Sequence, residues 1–78
     1  MKEVGTLKNI EALIDGSGEI SIGRAGPIRC AAIACDDDQQ LAALVRGRGE
    51  SLEALLQRLD AAIERAWEGD EFIDEINS

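Results

Sequence analysis

The chain has 78 residues, enough for one small domain, and such a domain buries only roughly 60% of its unfolded surface. Sixteen acids against eight bases give a net charge of −8, with no His and no Tyr, so the usual proton shuttle and the commonest metal ligand are missing. Residues 50–78 hold nine acids and two bases (Arg58 and Arg65), whereas residues 1–35 hold four of each; direct nucleic-acid binding through the acidic half is excluded.

Residues 1–14 contain no apolar run of signal-peptide length, and the longest apolar run, residues 30–35, is far too short to span a membrane. A soluble cytoplasmic protein is expected, with Cys30 and Cys35 reduced and acting as small hydrophobes.

In chain order, residues 6–14 (T-L-K-N-I-E-A-L-I) are predicted to form a short amphipathic helix. Leu7, Ile10, Leu13 and Ile14 share a face, and Thr6 stands where a cap belongs. Asp15-Gly16-Ser17-Gly18 breaks that helix. A phosphate-cradling role would need a Gly-Lys-Ser/Thr ending or a third glycine at Ser21, so the segment reads as a loop.

Residues 19–23 alternate, with Ile20 and Ile22 on one face and Ser21 on the other, as a half-buried strand does. Residues 23–27 make a turn, since Pro27 has no amide to give a ladder. Residues 28–35 fit a strand with Ile28, Cys30, Ala32 and Ala34 on one face and Ala31, Ile33 and Cys35 on the other. A helix there would place Asp36, Asp37 and Asp38 at its negative end. Residues 19–35 are therefore expected to be a β-hairpin whose two cysteines face opposite sides.

The three aspartates lack the spaced oxygens and the glycine of a calcium loop and are expected to cap a following helix. That helix, residues 39–46, would gather Leu41, Leu44 and Val45 on one face; the rival reading is a third strand, with residues 36–40 as the loop. Arg46-Gly47-Arg48-Gly49 reads as a flexible linker.

The dominant element is residues 51–68, S-L-E-A-L-L-Q-R-L-D-A-A-I-E-R-A-W-E. Leu52, Leu55, Leu56, Leu59, Ile63, Ala66 and Trp67 fall on one stripe at 100° per residue. Ser51 is its cap, Glu53 favours its positive end, and Gly69 is the residue expected to turn left-handed after it. Beside the apolar stripe runs an acidic one, Glu53, Gln57, Asp60, Glu64 and Glu68, unrelieved by a base at i+4. In D-E-F-I-D-E-I-N-S, Phe72, Ile73 and Ile76 are spaced to pack a short turn of helix, with Asp70, Glu71, Asp74 and Glu75 in water.

With G-E-S-L-E-A-L-L-Q-R-L-D-A-A-I and D-E-F-I-D-E-I-N in view, the second half resembles small accessory proteins of temperate bacteriophages. That resemblance implies an anti-defence binding protein of the anti-CRISPR kind. Residues 49–54, G-E-S-L-E-A, are also similar to the start of the helix that follows the strands in HicB-type antitoxins, which would imply a regulatory subunit.

The expected fold is α+β: a small single domain in which a β-hairpin packs against a dominant C-terminal amphipathic helix, with shorter helices. The apolar stripes exceed what a thin hairpin covers, so a homodimer is expected. No catalytic or metal-binding residues and no cofactor are expected. The expected activity is binding: Asp60, Glu64, Trp67, Glu68, Asp70 and Glu71 would meet a basic, nucleic-acid-binding surface of a protein partner, with Trp67 as the apolar anchor. A plain structural homodimer is the alternative.

Overall fold

A computed structural model of the chain describes residues 7–37 and 39–77. The elements run α1 (Lys8–Asp15), β1 (Glu19–Ala25), β2 (Ile28–Asp36), β3 (Gln39–Val45), α2 (Leu52–Gly69) and β4 (Ile73–Asp74). The four strands form one sheet in the order β1-β2-β3-β4, antiparallel except for the β3–β4 pair. Both helices lie on one face of that sheet, α2 over β3 and β2, and α1 against α2 and β1. The fold is thus α+β, with the longer helix toward the C-terminal end. Among the described residues no helix is long and apolar enough to cross a membrane.

The β1–β2 hairpin closes tightly, because Ala25 pairs with Ile28 and leaves only Gly26 and Pro27 between them. Gly26 takes a φ of 61° there, a conformation that costs glycine nothing. The expected strand of residues 19–23 therefore runs two residues further, and Gly23 belongs to the strand and not to the turn.

Residues 39–46 are not a helix. They form β3, and Asp36 pairs with Gln39 across a loop in which Asp37 has a φ of 31°. Aspartate tolerates this left-handed region, so the acidic run turns a hairpin where a helix cap was expected. The reason is burial: Leu41, Ala42, Ala43 and Leu44 are all enclosed, Ala42 and Leu44 beneath the helices and the small Ala43 on the other face between its neighbours in β2 and β4, so the run is continuous where a strand with one open face alternates. The register adds to this. Ala34 pairs with Ala42 but Cys35 with Gln40, so Leu41 is an extra residue, and a bulge of this kind lets the consecutive Leu41 and Ala42 both enter the core.

The helix of residues 51–68 is present as α2. Ser51 Oγ accepts the amide of Ala54 at 3.0 Å, satisfying one of the first-turn donors that have no intrahelical acceptor. At the other end Asp70, not Gly69, is left-handed, with a φ of 55°. Its amide donates to Ala66 O, and that of Glu71 reaches Arg65 O. Leu55, Leu59, Ala62, Ile63 and Ala66 are buried against Ala32, Ala34, Leu41, Ala42 and Leu44. Leu52 and Trp67, expected at the two ends of the same stripe, are exposed instead, in the first and last turns of α2.

Beyond α2 the chain forms β4, not a turn of helix. Ala42 pairs with Ile73 and Ala43 with Asp74, so β3, α2 and β4 make a parallel crossover unit. Ile73 packs on the core from there. Asp74 Oδ1 then accepts the amides of Ile76 and Asn77 at 3.1 Å each and turns the chain out of the sheet.

Arg58 ties three segments together. Its Nε and Nη2 donate to the two carboxylate oxygens of Glu50 at 2.9 and 3.0 Å, Nη1 donates to Glu75 at 2.9 Å, and Nη2 also reaches Val45 O at 3.0 Å. Glu50 in turn accepts the amide of Gly47 at 2.7 Å, and Glu75 that of Val45 at 2.8 Å. The R-G-R-G segment, expected to be a free linker, is stapled down by these bonds and by Arg46 Nε on Glu50 O at 2.8 Å.

Two expected outcomes follow from this packing. Leu59→Ala empties a fully buried site at the centre of α2 and should cost about 2–5 kcal/mol in denaturant melts; a loss below about half a kcal/mol would mean that the helix packs elsewhere. The bonds from Arg58, and next from the Gly47 amide, hold the Glu50 carboxyl down from its ordinary 4.5 to about 2. The favoured form is the charged one, so its stabilisation is complete above pH 4.5 and is lost as the pH falls toward about 2. Glu50→Gln should flatten the stability curve in that window, and a variant curve parallel to the parent's would show the clamp to be energetically silent.

Candidate functional site

The acidic stripe of α2 and the segment after it were expected to form one surface. The structure divides them. Asp60 is only 7% exposed, because α1 lies across it. Its Oδ1 accepts the amides of both Asn9 and Ile10 at 2.8 Å, and its Oδ2 the side-chain amide of Asn9 at 3.0 Å. These are first-turn donors of α1, left without intrahelical acceptors and carrying the positive end of the helix dipole. A carboxylate from α2 therefore does for α1 what Thr6 was expected to do; Thr6 itself lies outside the described residues, and Leu7 at the cap position makes no side-chain bond. Asp60 is thus turned away from any partner that α2 could meet.

Glu64 stands at the boundary. It is half-buried, and its Oε1 lies 3.4 Å from the Asn9 side-chain amide. Glu68, Asp70 and Glu71 are exposed. With Ala61, Glu64, Arg65 and Gly69, Glu68 and Glu71 line an open recess of about 390 Å³ at the end of α2. Trp67 is 42% exposed in the last turn and Phe72 is 47% exposed just past the left-handed Asp70. These are the chain's sole Trp and sole Phe, and it has no Tyr. Every aromatic ring of the protein is therefore left at the surface, in or next to its most acidic segment.

Phe72 was assigned to packing on the strength of its spacing with Ile73 and Ile76, and its exposure makes it part of the candidate surface. Phe72 immediately precedes β4, and its spacing alone did not separate it from Ile73.

The opposite end of α2 carries the reverse charge. Arg29, Arg46 and Arg48 border an open groove of about 740 Å³ above the ends of β2 and β3. The one carboxylate there, Glu50, is already engaged by Arg58 and Gly47. Nothing local in the sequence links Glu50 to Arg58, eight residues away, or Arg58 to Glu75; only the folded chain joins them. Cys30 and Cys35 are free thiols, and the pairing register puts Cys30 on the helix side of β2 and Cys35 on the other. Among the described residues no three Cys, Asp or Glu side chains converge as metal ligands would.

The division of the acidic stripe has a measurable consequence. Asp60→Ala leaves three donors at the start of α1 without their acceptor and should cost about 1–3 kcal/mol, with faster hydrogen exchange at Asn9 and Ile10. Glu68→Ala, on the same helix but in water, should stay within about half a kcal/mol. Equal effects of the two changes would contradict the placement of Asp60. No protein-family model matches this chain, and no curated protein or solved structure matches it.

Proposed function

We propose that this chain is a non-enzymatic binding protein that docks the C-terminal end of α2 on a basic surface of a protein partner, such as the nucleic-acid-binding face of a host defence or regulatory protein. The observation that carries the proposal is the position of the two aromatic rings. A small domain gains most from burying its largest apolar side chains, yet this core is made of Leu, Ile and Ala while Trp67 and Phe72 remain in water. Aromatic side chains in a polar surround are what interface anchors consist of.

Glu68, Asp70 and Glu71 supply the charge around those anchors. A basic partner would be drawn in by their field before contact, and association would weaken with added salt. Glu64 joins them at the rim; Asp60 belongs to the fold. The resemblance to phage-encoded inhibitors agrees in kind with this reading, since such proteins act by occupying a partner's working surface. Residues 49–54, which carry the similarity to HicB-type antitoxins, are engaged in starting α2 through Ser51 and in the Glu50–Arg58 clamp, so local folding accounts for that segment. Binding is favoured over catalysis because the exposed carboxylates stand on open surface, where general acid–base chemistry gains little from its surroundings.

The test uses the partner recovered on the tagged protein from a bacterial host. Trp67→Ala with Phe72→Ala should weaken binding at least tenfold, in line with the loss of an interface anchor. Glu68→Lys with Glu71→Lys should slow association and reduce its dependence on salt. Affinity within twofold of the parent for both double variants, with helicity retained, would end the proposal.

A further inference from the structure

We infer that a second copy of this chain pairs with the open edge of β1, joining the two sheets into one of eight strands. The inference concerns a surface separate from the end of α2 and does not depend on the proposal made for it.

The two edges of the sheet are unequal. One is closed by β4, which is only two residues long, and very short edge strands are a common safeguard against unwanted pairing. The other is β1, seven residues long, and among the described residues it pairs only with β2. Its outer row of backbone donors and acceptors is a template for another strand. Within Glu19 to Gly23 there is no proline and no inward charge, and Ser21 and Ile22 are exposed.

The apolar surface beside this edge has the same orientation. Asn9 of α1 faces α2, as its bonds to Asp60 and Glu64 show. Turning 100° per residue from Asn9, Leu13 comes at about 40°, Ile10 at about 100° and Ile14 at about 140°. Leu13 and Ile10 point into the core, so Ile14 points to the flank of α1 away from α2, above the β1 edge. Ile14 is 50% exposed and Ile22, on the same side of the sheet, 42% exposed. Two large apolar side chains are thus exposed beside a strand edge that pairs with no other strand among the described residues.

Charge selects a second copy, and in one orientation. α2, which carries the acidic half's helix, packs on β3 and β2, while residues 1–35 are neutral overall, so two copies meet here with less repulsion than the acidic half would cause. Glu19 begins β1 and Arg24 lies near its end. Antiparallel pairing about a two-fold axis sets Glu19 opposite the second copy's Gly23, one residue from its Arg24, whereas parallel pairing would set like beside like. With Ser21 on the axis, Ile20 stands opposite the second copy's Ile22 on the helix side. The register irregularity between Gly23 and Ala25 ends the pairing there.

The test is the mass in solution of the full chain and its variants. At roughly 50 µM, where a weak self-associating pair is populated, light scattering should give twice the chain's 8.4 kDa. Ile14→Lys with Ile22→Lys replaces exposed side chains and should return the monomer mass with the circular-dichroism spectrum unchanged. Glu19→Arg and Arg24→Glu should each raise the dissociation constant severalfold, and the two together should restore it. Ile33→Lys with Val45→Lys, on the face of the sheet away from the helices, should leave the dimer intact. A parent chain that is monomeric at that concentration, or a dimer that survives the Ile14 and Ile22 changes, overturns the inference.

Discussion

The contact on which the other elements depend is that of α2 with an alanine floor. Leu55, Leu59 and Ile63 project from the helix onto Ala32, Ala34 and Ala42, with Leu41 and Leu44 filling the space between. Alanine is a poor strand former, but its small side chain lets a helix seat three large side chains directly on the sheet. Fully burying five large aliphatic side chains (Leu41, Leu44, Leu55, Leu59 and Ile63) contributes about 1.5–3 kcal/mol each, a large sum for so short a chain. The crossover from β3 to β4, the seat of α1 and the anchoring of residues 46–50 all take their positions from α2.

Polar bonds then set which way each neighbour lies against α2. Asp60 lies on the side of the helix that α1 covers, and a carboxylate enclosed there must be bonded or it destabilises the fold. The first-turn amides of α1 supply those bonds, so burial of the charge and docking of α1 are one event. Arg58 does the corresponding work on the other flank with four hydrogen bonds to Glu50, Glu75 and Val45 O. Among the described residues no buried side-chain nitrogen or oxygen lacks a partner. Both clamps join segments far apart in sequence, and so resist local opening more than capping within one helix would.

This economy leaves two kinds of surface unused. The core contains no aromatic ring, and Trp67 and Phe72 stay exposed at the acidic end of α2. The helix layer is two helices wide over four strands, so the β1 edge and Ile22 project beyond the cover of α2. The first surface is charged and suits a basic partner; the second is near neutral and suits a copy of the chain. Their separation on the molecule allows both to be occupied at once.

The features that local physics controls were legible in the sequence. Period-3.6 spacing and the Ser51 cap located α2, alternation located β1, and the aspartates placed after residue 35 argued correctly against a helix in β2. The D-G-S-G loop followed from glycine alone. Elsewhere the deciding partners were remote. Residues 39–45 carry leucines and alanines that fit a helix as well as a strand, and only a position between β2 and β4, beneath α2, selects the strand. Ile73 packs on the core as its spacing suggested, but as a strand residue, because β3 offered its edge to the chain leaving α2, and Phe72 was left exposed. Asp60, Glu64 and Glu68 lie within about 80° of one another on a helical wheel, and the wheel knows the angle of a residue but not what lies beside it. α1, some fifty residues earlier in the chain, buries the first of them, shares the second and leaves the third in water.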